Sequence, residues 1–377
     1  MAGESRIEEA ADEFRHLTGK PAEGIWQAPG RVNLIGEHTD YNEGLALPFA
    51  IDRGTVVAVR RRSDHRARVW SANLGQYAAA DLTDLGPRTA SSLPSWARYP
   101  LGVVWAMGRQ GVEVAGLDIS VGSTVPLGSG LSSSAALTVS MAVAVNDLAH
   151  AGLDHLELAK AAQEAEASFA GVPCGLLDQL AALDAKAGYG VLIDFESLKR
   201  ELVPLDVGPT VVISTGVERT NAAGAYANRR AACEEAARQL GLKSLRDATL
   251  EMVETKLSGE VRRRARHIVT ENGRVDDAVA RLRAGKPLGD LLIASHLSLR
   301  DDYEVSCPEL DLAVETALRE GAAGARLTGA GFGGCAISIG ADASVLAGPM
   351  SAAFAKAGFG PPTVFAVAPS QGASRLA

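Results

Sequence analysis

Little in this sequence commits the chain to an extracellular, membrane or nucleic-acid-binding life. Its four cysteines, Cys174, Cys233, Cys307 and Cys335, are widely scattered. They form no C-x-x-C pair and no cysteine–histidine cluster at zinc-ligand spacing. Free thiols in a reducing cytosol are the simplest reading. There is no basic excess: 37 Lys and Arg stand against 45 Asp and Glu, a net charge of −8, which argues against a general nucleic-acid binder. There is no long apolar run either. The longest, residues 135–145, is too short to span a bilayer. Residues 1–15 are charged and lack the apolar centre of a signal peptide. A cytoplasmic protein is expected. Internal repeats and low-complexity tracts are absent, and so is G-x-x-x-x-G-K-[ST], which excludes a P-loop nucleotide protein.

What is there is a chain of 377 residues, enough for one large or two ordinary domains. It is organised around Pro126-Leu127-Gly128-Ser129-Gly130-Leu131-Ser132-Ser133-Ser134-Ala135. Residues 117–121 before it alternate like a half-buried strand, and the apolar run after it, to Leu148, reads as a buried helix. The glycines let backbone N–H groups approach a ligand, and the serines are expected to cap the helix start. Such a helix end attracts anions. On local physics alone an ordinary serine N-cap with a glycine turn explains the stretch equally well.

Elsewhere, spacing predicts helices over residues 5–18, 95–110, 154–170, 174–183 and 221–240, and over most of 250–320. Residues 54–61 and 67–71 read as a strand pair. Residues 190–195, 210–214, 325–328 and 335–339 read as strands. Residues 24–42 are dense in turn formers and reactive side chains. Gly208-Pro209 is the best candidate for a domain junction, dividing the chain into 1–207 and 208–377. The arginines of 262–266 read as a solvated helix face.

Two stretches approach the dinucleotide fingerprint G-x-G-x-x-G. In Gly128-x-Gly130-x-x-Ser133 a serine replaces the third glycine, and a second helix follows where a strand is needed. Gly329-x-Gly331-x-x-Gly334 matches fully but leads into a strand, not a helix. Both fail the context that gives the motif its meaning.

The 126–135 loop resembles the phosphate loop of the GHMP kinases, the superfamily of galactokinase, homoserine, mevalonate and phosphomevalonate kinases. Leu327-Thr328-Gly329-Ala330-Gly331-Phe332-Gly333-Gly334-Cys335 resembles that superfamily's C-terminal motif. Pro29-Gly30-Arg31-Val32-Asn33-Leu34-Ile35-Gly36-Glu37-His38-Thr39-Asp40-Tyr41 is similar to the galactokinase signature. Three motifs in order span most of the chain. The resemblance implies an α+β fold of two domains. The N-terminal half would be like ribosomal protein S5 domain 2, the C-terminal half a ferredoxin-like sandwich, and the active site would lie in the cleft between them. It implies ATP-dependent phosphorylation of the anomeric hydroxyl of galactose, the first step of galactose catabolism (the Leloir pathway), by a monomer with no nucleic-acid or membrane partner. Kinases for related sugars, such as N-acetylgalactosamine, share this scaffold. So do galactose and ATP sensors without turnover, against which the intact Ser132-Ser133-Ser134-Ala135, Asp178 and Arg31 argue.

Site residues follow from the same resemblance. Asp178 matches the catalytic aspartate and Arg31 the arginine beside it. A neighbouring arginine and a first-turn helix position would keep that aspartate ionised. Glu37, His38, Thr39, Asp40, Gly175 and Tyr226 match the sugar site. Fixed carboxylates and imidazoles suit an uncharged hexose, because unpaired buried acceptors penalise the wrong epimer. Gly128, Ser129, Gly130, Leu131, Ser132, Ser133 and Ser134 would hold ATP, with Trp96 near adenine. Ser134 and Glu166 would hold Mg2+, which needs few protein ligands. Glu164 competes with Glu166, but the two lie about 200° apart around one helix. The 329–334 loop is expected to pack beside the phosphate loop.

Overall fold

The structure is a computed structural model that describes residues 2–126, 128, 130–217 and 222–377. Its strands, in chain order, are β1 (Gly24–Asn33), β2 (Leu45–Ala46), β3 (Pro48–Arg62), β4 (Arg66–Ser71), β5 (Gln76–Asp81), β6 (Gly116–Ser123), β7 (Tyr189–Asp194), β8 (Lys199–Pro204), β9 (Thr210–Ser214), β10 (Gly324–Thr328), β11 (Cys335–Ile339), β12 (Thr363–Val367) and β13 (Ser374–Arg375). They make a six-stranded sheet ordered β13-β1-β3-β6-β4-β5, a small sheet β2-β7-β8, and a four-stranded sheet β10-β11-β9-β12.

β3 and β4 are both strands, but they are not partners. β6 lies between them, antiparallel to β3 and parallel to β4. The turn residues between β3 and β4 are real, and the expected hairpin is overridden by the later strand. β1 is a ten-residue strand where turn formers dominate the sequence. Its register shifts between Pro29 and Arg31. Such a bulge re-aims the next side chain, here Arg31. Gly30 is required there because a Cβ would meet the Leu131 carbonyl oxygen at 2.6 Å.

The first half buries one face of its large sheet under the helices Arg98–Arg109, Ser133–Ala149, His155–Glu164 and Leu177–Asp184. The other face is covered by Ala2–Thr18, whose Phe14 packs on Ile25 and Val56. The helix expected over 154–170 ends at Glu164 and continues to Ala170 as π-helix. The helix expected from residue 174 begins at Leu177.

In the second half, Gly259–Arg283, Gly289–Asp301, Pro308–Arg319 and Ala343–Ala357 surround the all-antiparallel sheet. That sheet begins at Thr210, just after Gly208-Pro209. The chain end then returns to the first half, where β13 pairs with β1. A third core joins the halves: Val32, Leu34, Val125 and Leu131 pack with Val212, Val275, Leu292 and Ile337. The 262–266 arginines are only in part a solvated face, with Arg262, Arg263 and Arg266 half-buried. Arg264 is buried and its guanidinium meets the Asp302 carbonyl and the carboxylates of Glu260 and Glu304. No helix among the described residues is long and apolar enough to cross a membrane.

Candidate active site

The bulge of β1 delivers Arg31 to the start of the helix Leu177–Asp184. Its Nε donates to Asp178 Oδ1 at 2.7 Å, and Nη2 lies 2.5 Å from the same oxygen. Its Nη1 donates to the Gly130 carbonyl at 2.6 Å. One guanidinium therefore ties the aspartate to the phosphate loop, a fixed fork that suits an arginine. The Arg31 N–H also donates to the Leu131 carbonyl at 3.1 Å.

The loop itself holds Gly128 at φ 71° and Gly130 at φ 81°, the left-handed region that glycine reaches freely. Ser132 is the N-cap of Ser133–Ala149, but it does not cap. It too is left-handed (φ 59°), and no helix N–H bonds its side chain. Its hydroxyl donates instead to Asp178 Oδ2. The expected capping role is thereby replaced by a contact to Asp178, and the helix N–H groups are left without that serine's oxygen. Ser133 and Ser134 form the first turn, both half-buried. Leu131 buries its side chain in the core between the halves. Ser129 lies outside the described residues.

Glu166, on the π-helical turn, is buried. Its Oε1 accepts from Gln179 Nε2 at 2.8 Å and Thr138 Oγ1 at 3.1 Å. The Ser134 hydroxyl is a further partner. Burial above all, with the nearby Asp178 charge adding to it, raises the Glu166 carboxyl to about 7. A buried carboxylate with donors but, among the described residues, no cation beside it fits a hard cation. Glu164 turns elsewhere, 3.3 Å from Arg109 Nη1. Trp96 sits on the one-turn helix Ser95–Ala97, its indole N–H buried and unpartnered among the described residues. Tyr99, in the next turn, feels the charge of Glu166.

The loop expected to bind the sugar is assembled by both halves. Glu37 Oε1 accepts from the Gly329 N–H at 2.7 Å and from Thr328 Oγ1 at 3.2 Å, and lies 3.2 Å from Arg326 Nη2. All three contacts fall on one oxygen. His38 holds a left-handed φ of 63°, and its Nδ1 is 3.0 Å from Tyr41 Oη. Burial foremost, then the neighbouring His267, pushes it down to about 3, so the ring is neutral. Asp40 is raised to about 6, again by burial first, with Asp178 and Glu37 adding repulsion. Its carboxylate fills the space over Gly175, where a Cβ would meet Oδ2 at 2.2 Å. Thr39 donates its hydroxyl to the Gly36 and Leu45 carbonyls and is fully buried, so its place is to hold the turn. Tyr226 comes from Ala222–Leu240 and stacks 5.7 Å from His38. Burial, then Asp40 and Asp178, raises its hydroxyl.

Several supporting residues carried no signal that pattern reading picked up. Glu271 Oε1 accepts the Gly36 N–H at 3.0 Å, and His267 Nε2 lies 3.1 Å from the Glu37 carbonyl. Burial alone would raise the Glu271 carboxyl, yet Arg274 and Arg326 outweigh it and hold it at about 2. His267 and Glu271 stand four residues apart on one helix, and that spacing was the available clue. The 329–334 loop bonds Glu37 and, through the Phe332 N–H, the Val305 carbonyl. Among the described residues its hydrogen bonds thus reach the sugar loop and not the phosphate loop.

Comparison with known proteins agrees with this arrangement. Residues 12–61 match the galactokinase galactose-binding signature, 98–186 the GHMP kinases N-terminal domain, and 278–356 the GHMP kinases C-terminal domain. A galactokinase of Streptomyces coelicolor is 45% identical, covering 99% of this chain and 100% of its own. The Homo sapiens galactokinase is 43% identical over 88% of each. The crystal structure of Lactococcus lactis galactokinase complexed with galactose superposes with a TM-score of 0.91 at 32% identity, covering 98% of this chain and all of that one. Methanococcus jannaschii mevalonate kinase shares the fold at 18% identity and TM-score 0.65, covering 92% of this chain and 98% of its own. With a sugar signature whose Arg31 is hydrogen-bonded to both Asp178 and the phosphate loop, the chain belongs to the galactokinases of the GHMP kinase superfamily.

Proposed function

We propose that the chain transfers the γ-phosphoryl group of ATP to the anomeric hydroxyl of α-D-galactose, giving galactose 1-phosphate and ADP. The observation that carries this reading is Asp178, held between Arg31 and Ser132 at the mouth of the phosphate loop. Asp178 orients the anomeric O–H and accepts its proton as that oxygen bonds to phosphorus and the bond to ADP breaks. A weak base suffices, because a loose transition state depends mostly on positioning and charge. Arg31 offsets charge on the transferred group. The N–H groups at the start of Ser133–Ala149, which Ser132 does not cap, would hold the ATP phosphates. Ser134 and Glu166 are the residues that would hold Mg2+, which supplies charge neutralisation to the phosphates when bound. Glu37, His38, Asp40 and Tyr226 bond the remaining sugar hydroxyls, and Trp96 lies toward the adenine.

An ATP-coupled assay across a hexose panel, with the product's phosphate position read by phosphorus NMR, tests this reading. Phosphate at C6, or no turnover of galactose, would sink it. Asp178→Asn should lower kcat about a thousandfold while calorimetry still records galactose binding. Lost binding with unchanged kcat would make Asp178 a ligand only.

A further inference from the structure

Tyr303 is fully buried in the second half and belongs to no motif of the sequence. Its ring lies between two imidazoles, with centroids 4.7 Å from His38 and 4.6 Å from His267. Its Oη is 2.6 Å from Tyr41 Oη and 3.2 Å from Cys233 Sγ. Its carbonyl accepts from Arg229 Nε at 2.6 Å, on the helix that also carries Tyr226. A chain of single hydrogen bonds therefore runs Cys233–Tyr303–Tyr41–His38 Nδ1.

Such a chain can be polarised in two directions. Running outward from His38, Nδ1–H would donate to Tyr41, Tyr41 to Tyr303, and Tyr303 to a thiol sulfur, which is a weak acceptor. Running inward, each phenol donates and the chain ends on an imidazole nitrogen lone pair, the best acceptor in the set. The inward direction leaves the ring hydrogen on Nε2. That nitrogen is buried and has no hydrogen-bond partner of full geometry among the described residues.

We infer that Tyr303 is a positioning residue for sugar recognition: through Tyr41 it fixes His38 with its hydrogen on Nε2, so His38 meets a sugar hydroxyl as a donor. The inference rests on the reading that His38 contacts the sugar. It adds that the site demands an accepting hydroxyl oxygen at this point, and that a residue of the second half enforces the demand.

The test uses the full-length protein. Nitrogen-15 NMR of the His38 ring should show Nε2 protonated and Nδ1 bare. Tyr303→Phe keeps the ring and removes the hydroxyl. It should shift His38 to a tautomer mixture and raise the galactose KM about tenfold, leaving kcat and the ATP KM within about twofold. Tyr41→Phe should do the same, and Tyr303→Phe should add nothing on top of it. An Nδ1–H tautomer in the unmodified protein, an unmoved tautomer in both variants, or additive costs would overturn the inference. His38→Ala separates the two ideas. An unchanged galactose KM there defeats the sugar-contact reading, whereas a raised KM with Tyr303→Phe silent defeats only the role of Tyr303.

Discussion

Asp40, proposed above to bond the sugar, is a carboxylate that its surroundings hold close to neutrality, at about 6 against 3.8 for an ordinary aspartate. The native state therefore favours the proton. That preference costs stability once pH exceeds the ordinary value, and the cost is complete above about 6. Sugar recognition needs the opposite form, a carboxylate that accepts from hydroxyls. The galactose KM is therefore expected to rise as pH falls through about 6. Asp40→Asn should lose that limb of the profile. It should also melt at a higher temperature than the parent at pH 8, by a margin that shrinks toward pH 4. A margin that is constant across pH would show that Asp40 titrates normally. The reactive residues of this loop were legible because they cluster in one short stretch with a recognisable spacing. Their supports were not. Glu271 meets the Gly36 amide across 235 positions of chain, and Arg326 and Tyr303 lie outside the recognisable motifs. Sequence spacing reports neighbours along one element, whereas these contacts exist only after the halves meet.

At the level of elements, the helix Ser133–Ala149 departs from what its sequence promises. Serine at an N-cap ordinarily accepts from a helix N–H, and its loss costs about 1 kcal/mol. Ser132 instead spends its hydroxyl on Asp178. Ser132→Ala should therefore lower kcat about tenfold with a loss of stability smaller than a missing cap would give. In the Asp178→Asn background the same change should alter kcat little, because its partner has already changed. Melting curves and initial rates on the four proteins check this, and a large stability loss with unchanged kcat would restore the ordinary cap. The longer helices up to residue 320 were legible, whereas Ala343–Ala357 was not read from the sequence. Strand pairing was not, because the partner of β3 and β4 arrives 45 residues after β4 ends. β1 was hidden by Pro29-Gly30, which mark a bulge inside a strand rather than a turn. Charge pattern misled at 262–266 for a related reason: Arg264 is buried against a loop that no local pattern brings to it.

For the whole molecule, the question is whether the two halves unfold separately. The core that joins them draws on Val32, Leu34 and Leu131 from one and Val212, Val275 and Ile337 from the other. Arg326 of β10 crosses the same boundary. It is fully buried and donates through Nη1 to the Leu34 carbonyl at 2.9 Å, with Nη2 3.2 Å from Glu37. Arg326 and Arg274 offset the buried carboxylates of Glu37 and Glu271, so removing one guanidinium strands a charge. Breaking one side of a buried pair costs about 3 kcal/mol or more. Arg326→Leu should lower the denaturant midpoint accordingly and raise the galactose KM, since Glu37 would keep only its contacts to Thr328 and Gly329. Both proteins should unfold in one transition followed identically by circular dichroism and tryptophan fluorescence. The tryptophans make this decisive, because Trp26, Trp70, Trp96 and Trp105 all belong to the first half. If fluorescence and helix content separate in the variant but coincide in the parent, Arg326 is what couples the halves. If they separate in both, the shared core does not bind the halves into one cooperative unit. Coincidence in both, with the lower midpoint, is the expected result and assigns the coupling to the core and the tuning of the sugar loop to the arginine.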